Sequence, residues 1–126
     1  MVKPASFLYG ISYFKLGEYE NASKYLNKFD GKDEMVAPAI IGLIGDCYVE
    51  LGDTQKAITY FLKAANTDNA LISPFYLKKA GTAYEKLGKY DKAIEAYTTI
   101  KDKYFDSAIA NEMDGRIARA KALAGK

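Results

Sequence analysis

Histidine is absent from this 126-residue sequence, and cysteine occurs once, as Cys47. The first absence removes the commonest general base and the commonest metal ligand. The second rules out an intrachain disulfide and a cysteine-held zinc cluster. A charge excess of one sign is also missing. The 18 basic and 16 acidic residues leave a net charge of +2, mixed along the chain, whereas nucleic-acid binders usually gather a basic excess on one face. No stretch approaches the ~18 apolar residues of a membrane span, and no charged-then-apolar signal sequence opens the chain. The expectation is a chain that binds no nucleic acid, metal or cofactor and inserts no segment of its own into a membrane. Met1-Val2-Lys3-Pro4 leads straight into helical patterning without a polar cap, a start compatible with a piece of a longer protein, which leaves an upstream anchor or export signal open. What is present is ordinary for a folded domain: 49% apolar and 27% charged residues, at a length that suits one domain, 1–126.

The sequence repeats itself. Gly17, Gly52 and Gly88 fall into one column, at spacings of 52−17 = 35 and 88−52 = 36. The same offsets align Gly10, Gly45 and Gly81; Tyr13, Tyr48 and Tyr84; Leu16, Leu51 and Leu87; and Ala22, Ala57 and Ala93. Five identical columns in three copies make the chain a tandem repeat. Each copy reads as two amphipathic helices. In copy two, Ile41, Ile44, Cys47, Tyr48 and Leu51 recur at spacings of three and four, and Ala57, Ile58, Phe61, Leu62 and Ala65 follow after Gly52-Asp53. Leu77, Ala80, Tyr84 and Leu87, then Ala93, Ile94, Tyr97 and Ile100, repeat this in copy three; Leu8, Tyr9, Tyr13 and Leu16, then Ala22, Leu26 and Phe29, do so in copy one.

The small residues have different purposes. Gly17, Gly52 and Gly88 suit helix C-caps, because glycine reaches positive φ cheaply. Gly10, Gly45 and Gly81 fall mid-helix, where glycine costs about 1 kcal/mol against alanine; two helices too close for a β-carbon explain them, with Ala22, Ala57 and Ala93 as the expected small partners. Pro38 and Pro74 sit where a first helical turn tolerates a missing N–H. The tail from Asp106 to Leu123 reads as one further helix, with Met113, Ile117, Ala120 and Leu123 on its apolar face and Arg116, Arg119 and Lys121 toward water, as a solubilising cap requires.

No chemistry-bearing pattern stands out. Cys47 falls on an apolar helix face, where a free cysteine behaves as a small hydrophobe. Asp30-Gly31-Lys32-Asp33-Glu34 matches neither the length nor the ligand spacing of a calcium loop and reads as a polar connector with a helix N-cap. The glycines are repeat punctuation, and no phosphate loop follows a strand. The 11 tyrosines recur with the repeat, which says packing rather than base stacking. The chain is expected not to be an enzyme.

The segments Gly45-Asp46-Cys47-Tyr48-Val49-Glu50-Leu51-Gly52-Asp53-Thr54-Gln55-Lys56-Ala57-Ile58 and Gly81-Thr82-Ala83-Tyr84-Glu85-Lys86-Leu87-Gly88-Lys89-Tyr90-Asp91-Lys92-Ala93-Ile94 closely resemble the tetratricopeptide repeat (TPR), over roughly residues 3–102. The family's first large aromatic is Ser6, Ile41 and Leu77 here, its late alanine is kept only as Ala64, and its closing proline is missing. The resemblance implies an all-α, right-handed solenoid of three helix-turn-helix repeats, at about 3–34, 35–70 and 73–105, plus a capping helix at about 106–123. It also implies a protein-interaction scaffold whose first helices line a concave groove. That groove would receive Phe7, Ile11, Phe14 and Lys15 from copy one, Ala39, Gly42, Asp46, Val49 and Glu50 from copy two, and Phe75, Lys78, Thr82, Glu85 and Lys86 from copy three.

The occupant implied is another protein or peptide. The alternative is a homodimer through the N-terminal face, where Phe7, Ile11 and Phe14 lack a cap. Relatives that grip the acidic C-terminus of Hsp70 and Hsp90 use a two-carboxylate clamp, which aligns here with Phe7, Ile11, Leu43, Phe75 and Lys79. Only Lys79 is cationic, so that partner is not expected. The chain is also similar to repeat domains of anchored bacterial envelope proteins, a resemblance that favours the periplasmic side of the envelope, if an anchor lies upstream, over the cytoplasm.

Overall fold

The structure, a computed structural model, describes residues 4–28 and 37–125. Among these residues the chain forms α1 (Pro4–Lys15), α2 (Tyr19–Leu26), α3 (Ala37–Glu50), α4 (Thr54–Ala65), α5 (Ile72–Lys86), α6 (Tyr90–Lys103), a 3-10 turn (Ala108–Glu112) and α7 (Met113–Ala124). Helices pair as α1/α2, α3/α4 and α5/α6; α2 packs on α3, α4 on α5, and α7 on α6. The core therefore runs along the stack as three clusters, two shared between one pair and the next and the third between the last pair and α7. Ala22 and Leu26 meet Ile40, Ile44 and Cys47; Ala57, Phe61, Ala64 and Ala65 meet Tyr76 and Ala80; Ala93, Tyr97 and Ile100 meet Met113. This is the nearest-neighbour architecture of an α-solenoid.

The glycine columns divide as expected. Gly17, Gly52 and Gly88 have φ of 79°, 85° and 74°. Each allows the next residue's N–H to reach back to a carbonyl five residues earlier: Glu18 to Tyr13, Asp53 to Tyr48 and Lys89 to Tyr84, all at 2.9 Å. The mid-helix column is a close-approach column. A β-carbon added at Gly10, Gly45 or Gly81 would lie 2.6 Å from Leu26, 2.7 Å from Phe61 or 2.3 Å from Tyr97. Ala22, Ala57 and Ala93 are fully buried as foreseen, but the side chain that enters each gap is the large one a turn later. The tyrosine column packs beside it, with Tyr13 stacked on Tyr25 at 5.4 Å and Tyr48 on Tyr60 at 5.5 Å.

Three expectations need correction. Leu16, Leu51 and Leu87 belong to no core; they are 71%, 45% and 40% exposed, because each stands at a helix end just before the glycine turn, beyond the packed faces. The tail is not one helix. Ser107 accepts a hydrogen bond from the Ile109 N–H at 3.2 Å, and its carbonyl accepts from the Ala110 N–H at 3.0 Å, so a 3-10 turn precedes the α-helix. Arg116 does not face water: it is half-buried against the Tyr97 ring, 5.8 Å from the centroid. Phe29 and the acidic connector 30–34 lie outside the described residues.

Candidate binding groove

A cavity of about 610 Å³ opens between the second and third helix pairs. α3 contributes Asp46 and Val49, α4 contributes Thr54 and Phe61, and α5 contributes Phe75, Lys78, Lys79, Thr82, Ala83 and Lys86; Ile109 of the 3-10 turn closes one end. The α5 residues share one side because 75, 78–79, 82–83 and 86 recur at helical spacing. Phe61 reaches the cavity from the outer helix of its pair because Gly45 leaves no β-carbon in its way. The lining is chiefly apolar, with lysines at its margin.

Two of the three lining lysines are paired. Lys79 Nζ lies 2.8 Å from Asp46 Oδ1 and over the Phe75 and Phe61 rings, 5.1 and 5.7 Å from their centroids. Lys78 Nζ lies 3.0 Å from Glu112 Oε1, tying α5 to the closing turn. Asp46 also acts on its neighbours: burial first, and then the Asp46 charge, push the Cys47 thiol up to about 11, and both raise the Tyr76 phenol above its usual value. A buried thiol held protonated in this way is a core residue, not a nucleophile.

Of the residues expected in the groove, Asp46, Val49, Phe75, Lys78, Thr82 and Lys86 come together at this cavity. The others stand elsewhere. Gly42 is a packing position: an added β-carbon would lie 2.1 Å from the Tyr76 ring. Glu85 turns toward the C-terminal helices, accepting a hydrogen bond from the Tyr97 hydroxyl and lying 3.5 Å from Arg119; burial and then that bond raise the Tyr97 phenol. Ala39 and Glu50 are exposed outside the cavity. Phe7, Ile11 and Phe14 are half-buried on α1; Phe7 and Phe14 pack against the cluster shared with α3, and Lys15 is exposed. Thr54, Phe61, Lys79, Ala83 and Ile109 are members that helical periodicity did not nominate for the groove; the aligned clamp position had singled out Lys79 for a different purpose.

Models of the tetratricopeptide repeat match residues 4–30, 39–70 and 77–107. The chain belongs to the tetratricopeptide repeat family. It is 33% identical over 98 residues to TPR repeat-containing protein MJ1428 of Methanocaldococcus jannaschii; the match covers 75% of this chain but only 16% of that protein's length. Among solved structures, PcrH of Pseudomonas aeruginosa, in complex with the chaperone binding region of PopD, matches with a TM-score of 0.67 at 18% identity, covering 97% of this chain and 87% of that one. The TPR2AB domain of yeast Sti1 in its pHSP90 complex matches with a TM-score of 0.71 at 19% identity, covering 94% of this chain and 46% of that one. At these identities the likeness is one of fold.

Proposed function

We propose that the chain is a non-catalytic interaction module that holds an extended segment of a partner polypeptide between its second and third helix pairs. The observation that carries this reading is the cavity of about 610 Å³ with its apolar floor of Val49, Phe61, Phe75, Ala83 and Ile109. Apolar floors with a few convergent polar groups are where side-chain anchors seat. PcrH and Sti1, which share this helix stack, were each solved with a polypeptide partner, and that supports the same class of occupant here. A two-carboxylate clamp finds no support: Phe7, Ile11, Leu43 and Phe75 offer no cation, and Lys79 is engaged by Asp46.

Thr82 is exposed at the cavity, so Thr82→Trp places an indole in the groove, at the cost of the 3.4 Å hydrogen bond its hydroxyl accepts from Arg116. Panning a displayed random-peptide library against the parent chain should enrich peptides that Thr82→Trp retains at least about tenfold less well, a loss of roughly 1.4 kcal/mol. Equal retention overturns the groove as the binding site.

A second reading, the homodimer, is favoured by Leu8 and Tyr9, which are 61% and 56% exposed on α1. Light scattering separates the two. A dimeric parent chain that becomes monomeric as Leu8→Glu/Tyr9→Glu supports self-association, and a monomeric parent removes it.

A further inference from the structure

We infer that the segment held in the groove runs on along α5 to the loop edge of the stack, where Leu71 and Phe105 receive a second anchor: an apolar side chain with a lysine or arginine beside it. This rests on the groove reading above.

Leu71 is 83% exposed and Phe105 69%, yet the loops that carry them are pinned. The Leu71 and Ile72 N–H groups donate to Asn69 Oδ1 at 2.8 and 3.0 Å, and the Asn69 N–H donates to the hydroxyl oxygen of buried Ser73 at 2.9 Å. Asp68 ties this loop to the one that carries Phe105. Its Oδ1 accepts a hydrogen bond from the Tyr104 hydroxyl at 2.8 Å and lies 3.2 Å from Lys103 Nζ. Asp68 has a φ of 53°, a left-handed conformation that a residue other than glycine keeps only when its surroundings hold it. A backbone fixed before a partner arrives loses little freedom on binding, and large apolar side chains presented together in water mark an interaction surface.

The edge is continuous with the cavity. Phe75 lines the cavity one helical turn beyond Leu71, and Ile109, which closes one end, stands four residues beyond Phe105. From Leu71, the N-cap of α5, to Thr82 in the cavity is 82−71 = 11 residues, roughly 16.5 Å along the helix. An extended segment covers that distance in about five residues. Charge decides what stands beside the second anchor. In the cavity, Lys78 and Lys79 are already matched by Glu112 and Asp46. At the edge, Asp102 and Asp106 stand on either side of Phe105 in the chain, exposed and without an ion pair among the described residues. A cation next to the apolar residue is drawn to this edge, and an acidic neighbour is repelled.

The test pans displayed random dodecapeptides against the parent chain and titrates the enriched peptides calorimetrically into the parent, Leu71→Gln/Phe105→Gln and Asp102→Asn/Asp106→Asn. All four positions are exposed, so thermal unfolding of both variants should match the parent. Replacing Leu71 and Phe105 should weaken the peptides about tenfold. Replacing the two carboxylates should weaken them about threefold, a difference that salt at about 0.5 M removes. Alanine replacement along one peptide should find an apolar residue, about five from the groove anchor, that matters on the parent and not on Leu71→Gln/Phe105→Gln. Parent-like affinity of Leu71→Gln/Phe105→Gln overturns the inference, and the groove reading stands if Thr82→Trp still loses the same peptides. Retention on Thr82→Trp with loss on Leu71→Gln/Phe105→Gln overturns both, as does a library that enriches nothing. A parent chain that is dimeric by light scattering and monomeric as Leu71→Gln/Phe105→Gln gives the edge to a second copy and overturns the inference as well.

Discussion

Gly81→Ala should melt roughly 6–10 °C below the parent chain, although alanine is the better helix former by about 1 kcal/mol. The added methyl would sit 2.3 Å from Cε1 of Tyr97 and within 2.9 Å of two more of its ring atoms. Tyr97 has no exposed surface, so its ring has nowhere to rotate. Overpacking a rigid site costs about 1–3 kcal/mol beyond any propensity gain, for a net loss of about 2 kcal/mol. Gly10→Ala is the graded control. Its methyl meets Leu26 Cδ2 and Cγ at 2.6 Å, an aliphatic side chain that can shift rotamer, so the loss should be smaller. Placing Gly81→Ala in a Tyr97→Leu background should recover part of the deficit, because leucine, the residue copy one has at this point as Leu26, can shift rotamer where the tyrosine ring cannot. Equal or raised stability of Gly81→Ala, read by thermal unfolding, would falsify the assignment of this column to close helix approach.

Phe61→Ala should lose about 3–5 kcal/mol in urea unfolding, the range for removing a fully buried phenylalanine. Phe61 is 2% exposed, fills the gap over Gly45 and stacks on Tyr76 with centroids 6.3 Å apart. It joins the core shared by the second and third helix pairs to the groove floor, so its removal loosens the stack where repeats meet. Peptide retention should weaken along with stability, because the hole opens into the groove and Lys79 loses one of its two rings. Leu62→Ala, one residue on and 37% exposed, should cost no more than about 1 kcal/mol. A similar loss for both substitutions would contradict the placement of Phe61 at the repeat junction.

The stack was legible in the sequence because packing repeats when structure repeats. The glycine turns and the buried alanines could be located from offsets of 35 and 36 alone. Half of the groove was legible for a similar reason: Asp46 and Val49 on α3, and Phe75, Lys78, Thr82 and Lys86 on α5, follow from which face of a first helix looks inward. What periodicity does not convey is depth between elements. Phe61 belongs to a second helix and shows in the groove only through the space left by Gly45. The glycine column carried that signal, but small-to-large pairing had to be read across helices to use it. Glu85 has the right position on its helix and the wrong direction, because the Tyr97 hydroxyl and Arg119 draw its carboxylate toward the C-terminal helices. Ile109 enters from a 3-10 turn whose boundary depends on the Ser107 cap, which a helical reading of the tail passes over. Leu16, Leu51 and Leu87 show the converse error, an apolar column conserved between copies at the helix ends yet outside the core.

The measurement to make first is retention of library-enriched peptides on Thr82→Trp beside Thr59→Trp, whose indole stands on the exposed surface of α4, away from the cavity. Loss of binding on Thr82→Trp with full retention on Thr59→Trp is the expected result. Binding that survives Thr82→Trp and fails on Thr59→Trp would place the partner on the outer helices and contradict the groove.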